Sequence, residues 1–93
     1  MSVKQLGRYT RTFHLPVTTF VVLLVGSDPN RKGILVCNES TGTVYILSAQ
    51  NQTSADGIPV TKSAPYYNET TTAAMWIVAD TGTQDVRVQV DGD

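Results

Sequence analysis

Charged residues are scarce in this chain. They make up 16% of its 93 residues, against roughly 25% in typical soluble domains, and they leave a formal net charge of −1. This balance gives no electrostatic reason to expect a nucleic-acid partner. Polarity comes instead from uncharged side chains, including thirteen threonines. A surface with so little charge favours association with other proteins.

Cysteine and histidine are even rarer, and their scarcity argues against several kinds of chemical site. Cys37 is the only cysteine, so no internal disulfide can form, and its apolar neighbours are typical of a buried thiol. His14 is the only histidine, which leaves no histidine pair or cysteine–histidine cluster for zinc or for a nucleophile. The aspartates lie in or beside turn signals, where backbone reasons favour them. We therefore expect no enzymatic activity, no metal and no cofactor.

Long apolar runs are also missing. The longest, residues 20–25, is far shorter than the roughly 20 residues that a membrane-spanning helix needs. The first eleven residues lack the apolar core of a secretory signal. These features predict a protein that is made in the cytoplasm and does not enter a membrane.

What the sequence does contain is a series of short apolar runs. Turn-forming residues separate them at intervals of about ten residues, and no segment keeps a helical period over three turns. The sequence therefore predicts an all-β domain, a small antiparallel β-sandwich or jelly-roll-like barrel of about six to eight strands. We place this domain at residues 12–93, after an extended N-terminal arm at residues 1–11.

Residues 31–47 hold the clearest pair of strands. The apolar runs 34–37 and 44–47 flank a polar, glycine-containing connection, which predicts a β-hairpin. Both runs lack polar interruptions, so both strands should be covered on both faces and lie at the centre of the fold.

Four further segments have distinct patterns. Residues 17–25 are the most apolar and predict a central strand, and residues 73–79 predict a second strand that is buried on both faces. Residues 85–90 alternate between valine and polar side chains, which predicts a half-exposed strand. Residues 48–57 have no apolar period and predict a surface loop.

These patterns yield two sets of residues. The predicted structural core is Phe20, Val22, Leu24, Ile34, Val36, Tyr45, Trp76 and Val88. Subunit or partner contacts are expected in the arm and in the loop at 48–57, and the candidate contact residues are Lys4, Arg8, Tyr9, Arg11, Gln50, Asn51 and Tyr67. The basic charge of the arm fits either a solvated tail or docking on a more acidic subunit.

Three aromatic residues allow two interpretations. Tyr66, Tyr67 and Trp76 together suit a platform for sugars or single-stranded nucleic acid. Aromatic side chains also fill cores and anchor subunit contacts, and the apolar neighbours of Trp76 favour a core position.

The order of turns and strands resembles a known family. The pieces that carry the resemblance are a Pro-Asn-Arg turn at 29–31, an apolar strand at 34–38 ending in Asn, a Val-Tyr-Ile strand at 44–46, a Gly-Ile-Pro-Val segment at 57–60, an aromatic step at Tyr66, a Trp-Ile-Val strand at 76–78, a Thr-Gly turn at 81–82 and a closing Val-x-Val-x-Val. This pattern resembles the small β-sandwich structural proteins of tailed-bacteriophage virions, among them capsid decoration or cement proteins. It spans roughly residues 17–90.

The resemblance implies a function without catalysis. Proteins of this kind bind and reinforce a protein shell, often as trimers. The implied partner is the major capsid protein, the implied location is the capsid exterior, and the arm would grip the shell or a neighbouring copy. Two alternatives remain: another virion component, such as a neck, baseplate or fibre subunit, and a small carbohydrate-binding module that uses the aromatic residues.

Overall fold

Two antiparallel β-sheets of four strands each form the protein, as described for residues 9–93 by a computed structural model. In chain order the eight strands are β1 (Tyr9–Val17), β2 (Val22–Val25), β3 (Arg31–Asn38), β4 (Val44–Leu47), β5 (Ile58–Val60), β6 (Tyr66–Asn68), β7 (Met75–Ala79) and β8 (Gln84–Gly92). The first sheet has the order β1-β8-β3-β6, and the second has β2-β7-β4-β5. The predicted all-β sandwich is confirmed.

The core lies between the two sheets and consists mainly of branched aliphatic side chains. In β8, Val86, Val88 and Val90 are buried while the residues between them are more exposed, as the alternation predicts. The opposite sheet contributes buried side chains such as Val44, Ile46 and Ile77. Of the predicted core residues, Leu24, Ile34, Val36 and Val88 are buried there, and Val22 packs against the cluster while partly exposed.

Strands β3 and β4 do not form the predicted hairpin. β3 lies between β8 and β6 in the first sheet, and β4 lies between β7 and β5 in the second, so the connection 39–43 crosses from one sheet to the other. Both strands are nevertheless central in their sheets. A hairpin and a sheet change both place apolar strands at either end of a polar connection, which is why the local pattern did not separate them.

The side chain of Asn38 fixes this crossing. Its Nδ2 donates to the carbonyl of Gly42 at 2.7 Å and to that of Val60 at 3.0 Å, and its Oδ1 accepts the backbone N–H of Ser40 at 2.9 Å. Gln84 holds the same connection from β8, because its Oε1 accepts the backbone N–H of Gly42 at 3.0 Å. One buried amide therefore joins the end of β3, the crossing and β5.

Arg31 has the corresponding role at the other end of β3. Its side chain is buried, Nη1 donates to the Gly26 carbonyl at 3.0 Å, and Nη2 donates to the carbonyls of Ala73, at 2.5 Å, and Thr71, at 3.3 Å. These bonds tie the β2–β3 connection to the β6–β7 connection.

The segment 17–25 is not one central strand. β1 ends at Val17 and β2 begins at Val22, and each is the edge strand of a different sheet. Pro16 fits at this edge, since an edge strand tolerates a missing donor. Phe20 lies in the crossing between the strands with 78% of its surface exposed, so its predicted core position is wrong. The chain must turn here to change sheets, and the turn carries the ring away from the core.

Tyr45 and Trp76 also differ from the prediction. Val44 and Ile46 of β4 face the core, so Tyr45 between them faces outward, and Trp76 takes the same outward position on β7. Both side chains are partly exposed and lie outside the cluster between the sheets.

The N-terminal part of the sandwich begins earlier than residue 12. β1 starts at Tyr9 and pairs along its length with β8, and Thr10 Oγ1 donates to Asp91 Oδ1 at 2.9 Å. Residues 9–11 therefore belong to the first sheet. Residues 1–8, the rest of the predicted arm, lie outside the described residues.

The predicted surface loop 48–57 is present and joins β4 to β5 through a single 3-10 turn, Ser54–Asp56. Gln52 Oε1 accepts the backbone N–H of Ser48 at 2.8 Å, and Asp56 Oδ2 accepts that of Thr53 at 3.0 Å. β5 follows as a short edge strand at 58–60.

We expect Asn38→Ala to lower the free energy of unfolding by about 1–3 kcal/mol, because it leaves the carbonyls of Gly42 and Val60 without their amide donor. Urea denaturation measures this change. Asn51→Ala, which removes an exposed amide from the 48–57 loop, is the control and should change stability by less than about 0.5 kcal/mol. Equal stabilities for the two variants would show that the Asn38 amide does not hold the crossing.

Candidate interaction surfaces

The outer face of the first sheet, here called the polar face, is hydrophilic over most of its area. Because the valines of β8 point inward, the residues between them point outward, and the same alternation applies to β1. The outward positions on these two strands are Thr10, Thr12, His14, Pro16, Asp85, Arg87, Gln89 and Asp91. Leu35, Cys37 and Tyr67 add the less polar part from β3 and β6.

A row across the polar face contains the single histidine and the single cysteine. His14 pairs with Arg87 on β8, and Arg87 pairs with Cys37 on β3. The three residues line a shallow concavity of about 430 Å³. Neighbouring strands are about 4.8 Å apart, so His14 and Cys37, two strands apart, are separated by about 10 Å. That distance exceeds hydrogen-bond reach, and the two side chains do not make a nucleophile–base pair.

The charged groups of the polar face form exposed pairs. Arg87 Nη2 donates to Asp85 Oδ2 at 3.0 Å, and this hydrogen bond, with the attraction of the same guanidinium, lowers the pKa of Asp85. Tyr67 donates its hydroxyl to Glu69 Oε2 at 3.0 Å, which raises the pKa of Tyr67. Exposed pairs of this kind contribute little to stability. No group of three or more metal-ligating side chains occurs within residues 9–93.

The outer face of the second sheet has the opposite character. Leu23 and Leu47 both pair with Trp76, and Tyr45 pairs with Val78 and Pro59, so these side chains share one face. We call them the apolar face: Leu23, Tyr45, Leu47, Pro59, Trp76 and Val78. Leu47 and Val78 are buried, Tyr45 and Trp76 are partly exposed, and Leu23 keeps 51% of its surface exposed. Among the described residues no third sheet covers this face.

The predicted contact residues are not brought together on one surface. Lys4 and Arg8 lie outside the described residues, and Tyr9 begins β1. Arg11 is exposed with its guanidinium carbon 5.4 Å from the Phe13 ring centroid. The remaining candidates are in two separate places, the loop with Gln50 and Asn51 and the polar face with Tyr67.

The three aromatic candidates lie in three different parts of the sandwich. Tyr66 packs against the core between the sheets, Tyr67 lies on the polar face and Trp76 on the apolar face. They therefore do not form a common platform. The sequence gives no sign that Leu23 is a surface residue, because every position from 20 to 25 is apolar and no alternation marks which side chains face outward.

Comparison with known proteins gives no relative to reason from. No protein-family model matches the chain, and neither the curated proteins nor the solved structures contain a significant match to it. Within residues 9–93, no helix has the length and apolar character required to cross a membrane. Assignment of a function therefore depends on the chain's own sequence and geometry.

We expect the Asp85 carboxyl to titrate below the ordinary value of 3.8, because Arg87 stabilises its charged form. NMR-monitored pH titration measures this pKa. The pair's contribution to folding is present above the unfolded-state pKa and is lost as pH falls through the lowered folded-state pKa. Arg87→Gln should return the Asp85 pKa toward its ordinary value, whereas Lys32→Gln, which removes the partner of Asp93, should not. An unshifted Asp85 in the wild type would contradict the pairing.

Proposed function

We propose that the protein is a non-enzymatic structural component of a tailed-bacteriophage virion, and that it decorates the capsid by binding and stabilising the shell of major capsid subunits. The apolar face is the observation that carries this proposal. Partly exposed Trp76, Tyr45 and Leu23 lie side by side on it over buried aliphatic neighbours. Contiguous apolar surface of this kind is typical of protein–protein contact sites.

The contrast between the two outer faces supports attachment to a shell. The polar face carries hydroxyl, amide and charged groups, as a surface in contact with water does. The apolar face lies on the opposite side of the sandwich. A protein that coats the outside of a particle needs this arrangement, with one side against the shell and the other toward solvent.

The energetic contribution of each copy is modest and accumulates over many copies. Burial of apolar surface contributes about 25 cal/mol per Å², from which the cost of ordering each copy on the shell must be subtracted. A copy that bridges two subunits adds contacts that must break before those subunits separate. Because many copies bind the shell, small gains in binding free energy add up to resistance of the whole particle to heat. On the basis of the resemblance to decoration proteins, we propose that the protein binds the shell as a trimer.

Another place in the virion is the main alternative, since a neck, baseplate or fibre subunit would use an apolar face in the same way. The number of copies per particle distinguishes the two, with hundreds expected for a decoration protein and far fewer for a tail component. A carbohydrate-binding module receives no support from the geometry, because Tyr66, Tyr67 and Trp76 are in separate parts of the sandwich.

We expect Leu23→Lys to weaken binding to capsids at least about tenfold, equivalent to about 1.4 kcal/mol, since it places a charge in the apolar face. Thr12→Lys is the matched control, because Thr12 is likewise an exposed residue of an edge strand but lies on the polar face. The measurement is co-sedimentation with particles of the native major capsid subunit from which this protein has been removed. Wild-type affinity in Leu23→Lys would exclude the apolar face as the docking surface.

Failure of the wild-type protein itself to bind these particles, together with unchanged heat resistance of the particles, would refute the decoration function. Binding only at a neck, baseplate or fibre position in cryo-electron microscopy would favour the alternative location.

A further inference from the structure

An exposed aromatic ring and an apolar cleft occupy diagonally opposite corners of the sandwich. The ring is that of Phe20, in the crossing between β1 and β2. The cleft has a volume of about 240 Å³ and opens between β5 and β6. Its lining is mainly apolar, with Ile46, Leu47, Ile58, Tyr66, Ala73, Ala74 and Met75, and its polar members are Ser48, Asp56 and Thr71.

The cleft exists because the two sheets do not close over each other at this edge. β5 and β6 are edge strands of three residues each, too short to cover the end of the core. Ile46 and Met75 belong to the core cluster and also line the cleft, although each keeps only 5% of its surface exposed. Ile58 lies in the wall with 51% of its surface exposed. The opening thus presents core side chains to an incoming apolar group.

The ring of Phe20 is held away from its own core. Ala79 donates its backbone N–H to the carbonyl of Thr18 at 2.8 Å, and Phe20 donates its own to Thr18 Oγ1 at 3.2 Å. These bonds fix the turn that presents the side chain to solvent. A large apolar ring that is 78% exposed on a defined turn resembles the aromatic anchors that fill pockets in protein interfaces.

The two features match in size and chemistry but cannot meet within one chain. A cleft of about 240 Å³ is smaller than the roughly 300–1,000 Å³ of small-molecule sites and suits a single side chain. β7 runs from Met75 beside the cleft to Ala79 beside the Phe20 turn, so the two features lie at opposite ends of the strands. They also lie at opposite edges of the sheets, since β1 and β2 are at one edge and β5 and β6 at the other.

We propose that Phe20 of one copy inserts into the cleft of a second copy. Each copy then offers one ring and one cleft, which makes the contact head-to-tail, and such contacts generate a closed ring or an open chain. Leu47 is the one apolar-face residue that also lines the cleft, and it is buried. The exposed residues of that face, such as Leu23 and Trp76, belong to neither feature, so this contact leaves them available. It does not depend on the proposed function and is compatible with the trimer proposed above.

The test is the self-association of the purified full-length protein, measured by sedimentation between about 10 μM and 1 mM, the range of ordinary weak contacts. We expect the wild-type mass to rise with concentration. Phe20→Asp and Ile58→Asp should each weaken association at least about tenfold. Leu23→Asp is the matched control, because Leu23 has the same 51% exposure as Ile58 but lies on the apolar face. It should associate like the wild type.

A mixture of the two variants gives the sharper readout. Phe20→Asp retains an intact cleft and Ile58→Asp retains an intact ring, so the mixture should form a one-to-one complex that cannot grow. A wild-type protein that stays monomeric at 1 mM, unweakened association of Phe20→Asp, or a mixture that forms no complex would overturn the proposal. If Ile58→Asp does not fold, Phe20→Asp decides alone, because its ring is outside the core.

These outcomes are separate from the test of capsid binding. Loss of self-association in Phe20→Asp leaves the apolar face unchanged, and loss of capsid binding in Leu23→Lys leaves the ring and the cleft unchanged.

Discussion

The amide of Asn38 makes hydrogen bonds in three directions with only 1% of the residue exposed. Its bonds join the end of β3, the connection that leaves the first sheet, and β5 in the second. Arg31 provides a similar junction at the start of the strand, through backbone carbonyls of two further connections. β3 is therefore held at both ends by buried polar side chains, and the position of one sheet over the other depends on it. This arrangement leaves one outer face on each sheet, the polar face on the first and the apolar face on the second.

Sequence patterns predicted the features that depend on local residue type and did not predict the change of sheet. Alternation identified the half-exposed strand β8, and the lack of an apolar period identified the 48–57 loop, because both features depend on local residue type. The change of sheet after β3 depends on where Asn38 finds its partners, and Gly42 and Val60 are brought to it only by the complete fold. No local period contains that information.

The outward position of Trp76 and Tyr45 shows a related difficulty. A strand that is apolar on both faces is expected to be buried on both faces. The pattern does not tell whether the residues that bury it belong to the same chain or to another. In β4 and β7 the inner side chains are covered by the first sheet, whereas the outer ones form the apolar face. Phe20 shows the same difficulty at a turn. It lies in a run of apolar residues, so the local sequence gives no sign that its side chain is exposed.

Of the connections between the eight strands described in residues 9–93, only the one from β4 to β5 joins neighbours in the same sheet. Every other connection passes from one sheet to the other, so each sheet is assembled from segments that are distant along the chain. Neither sheet can be completed while the other is unformed. Pairing strands that are distant along the chain costs loop-closure entropy before the stabilising contacts between them form. The chain should therefore fold slowly for its size and in one cooperative step, and it should also lose both sheets together when it unfolds.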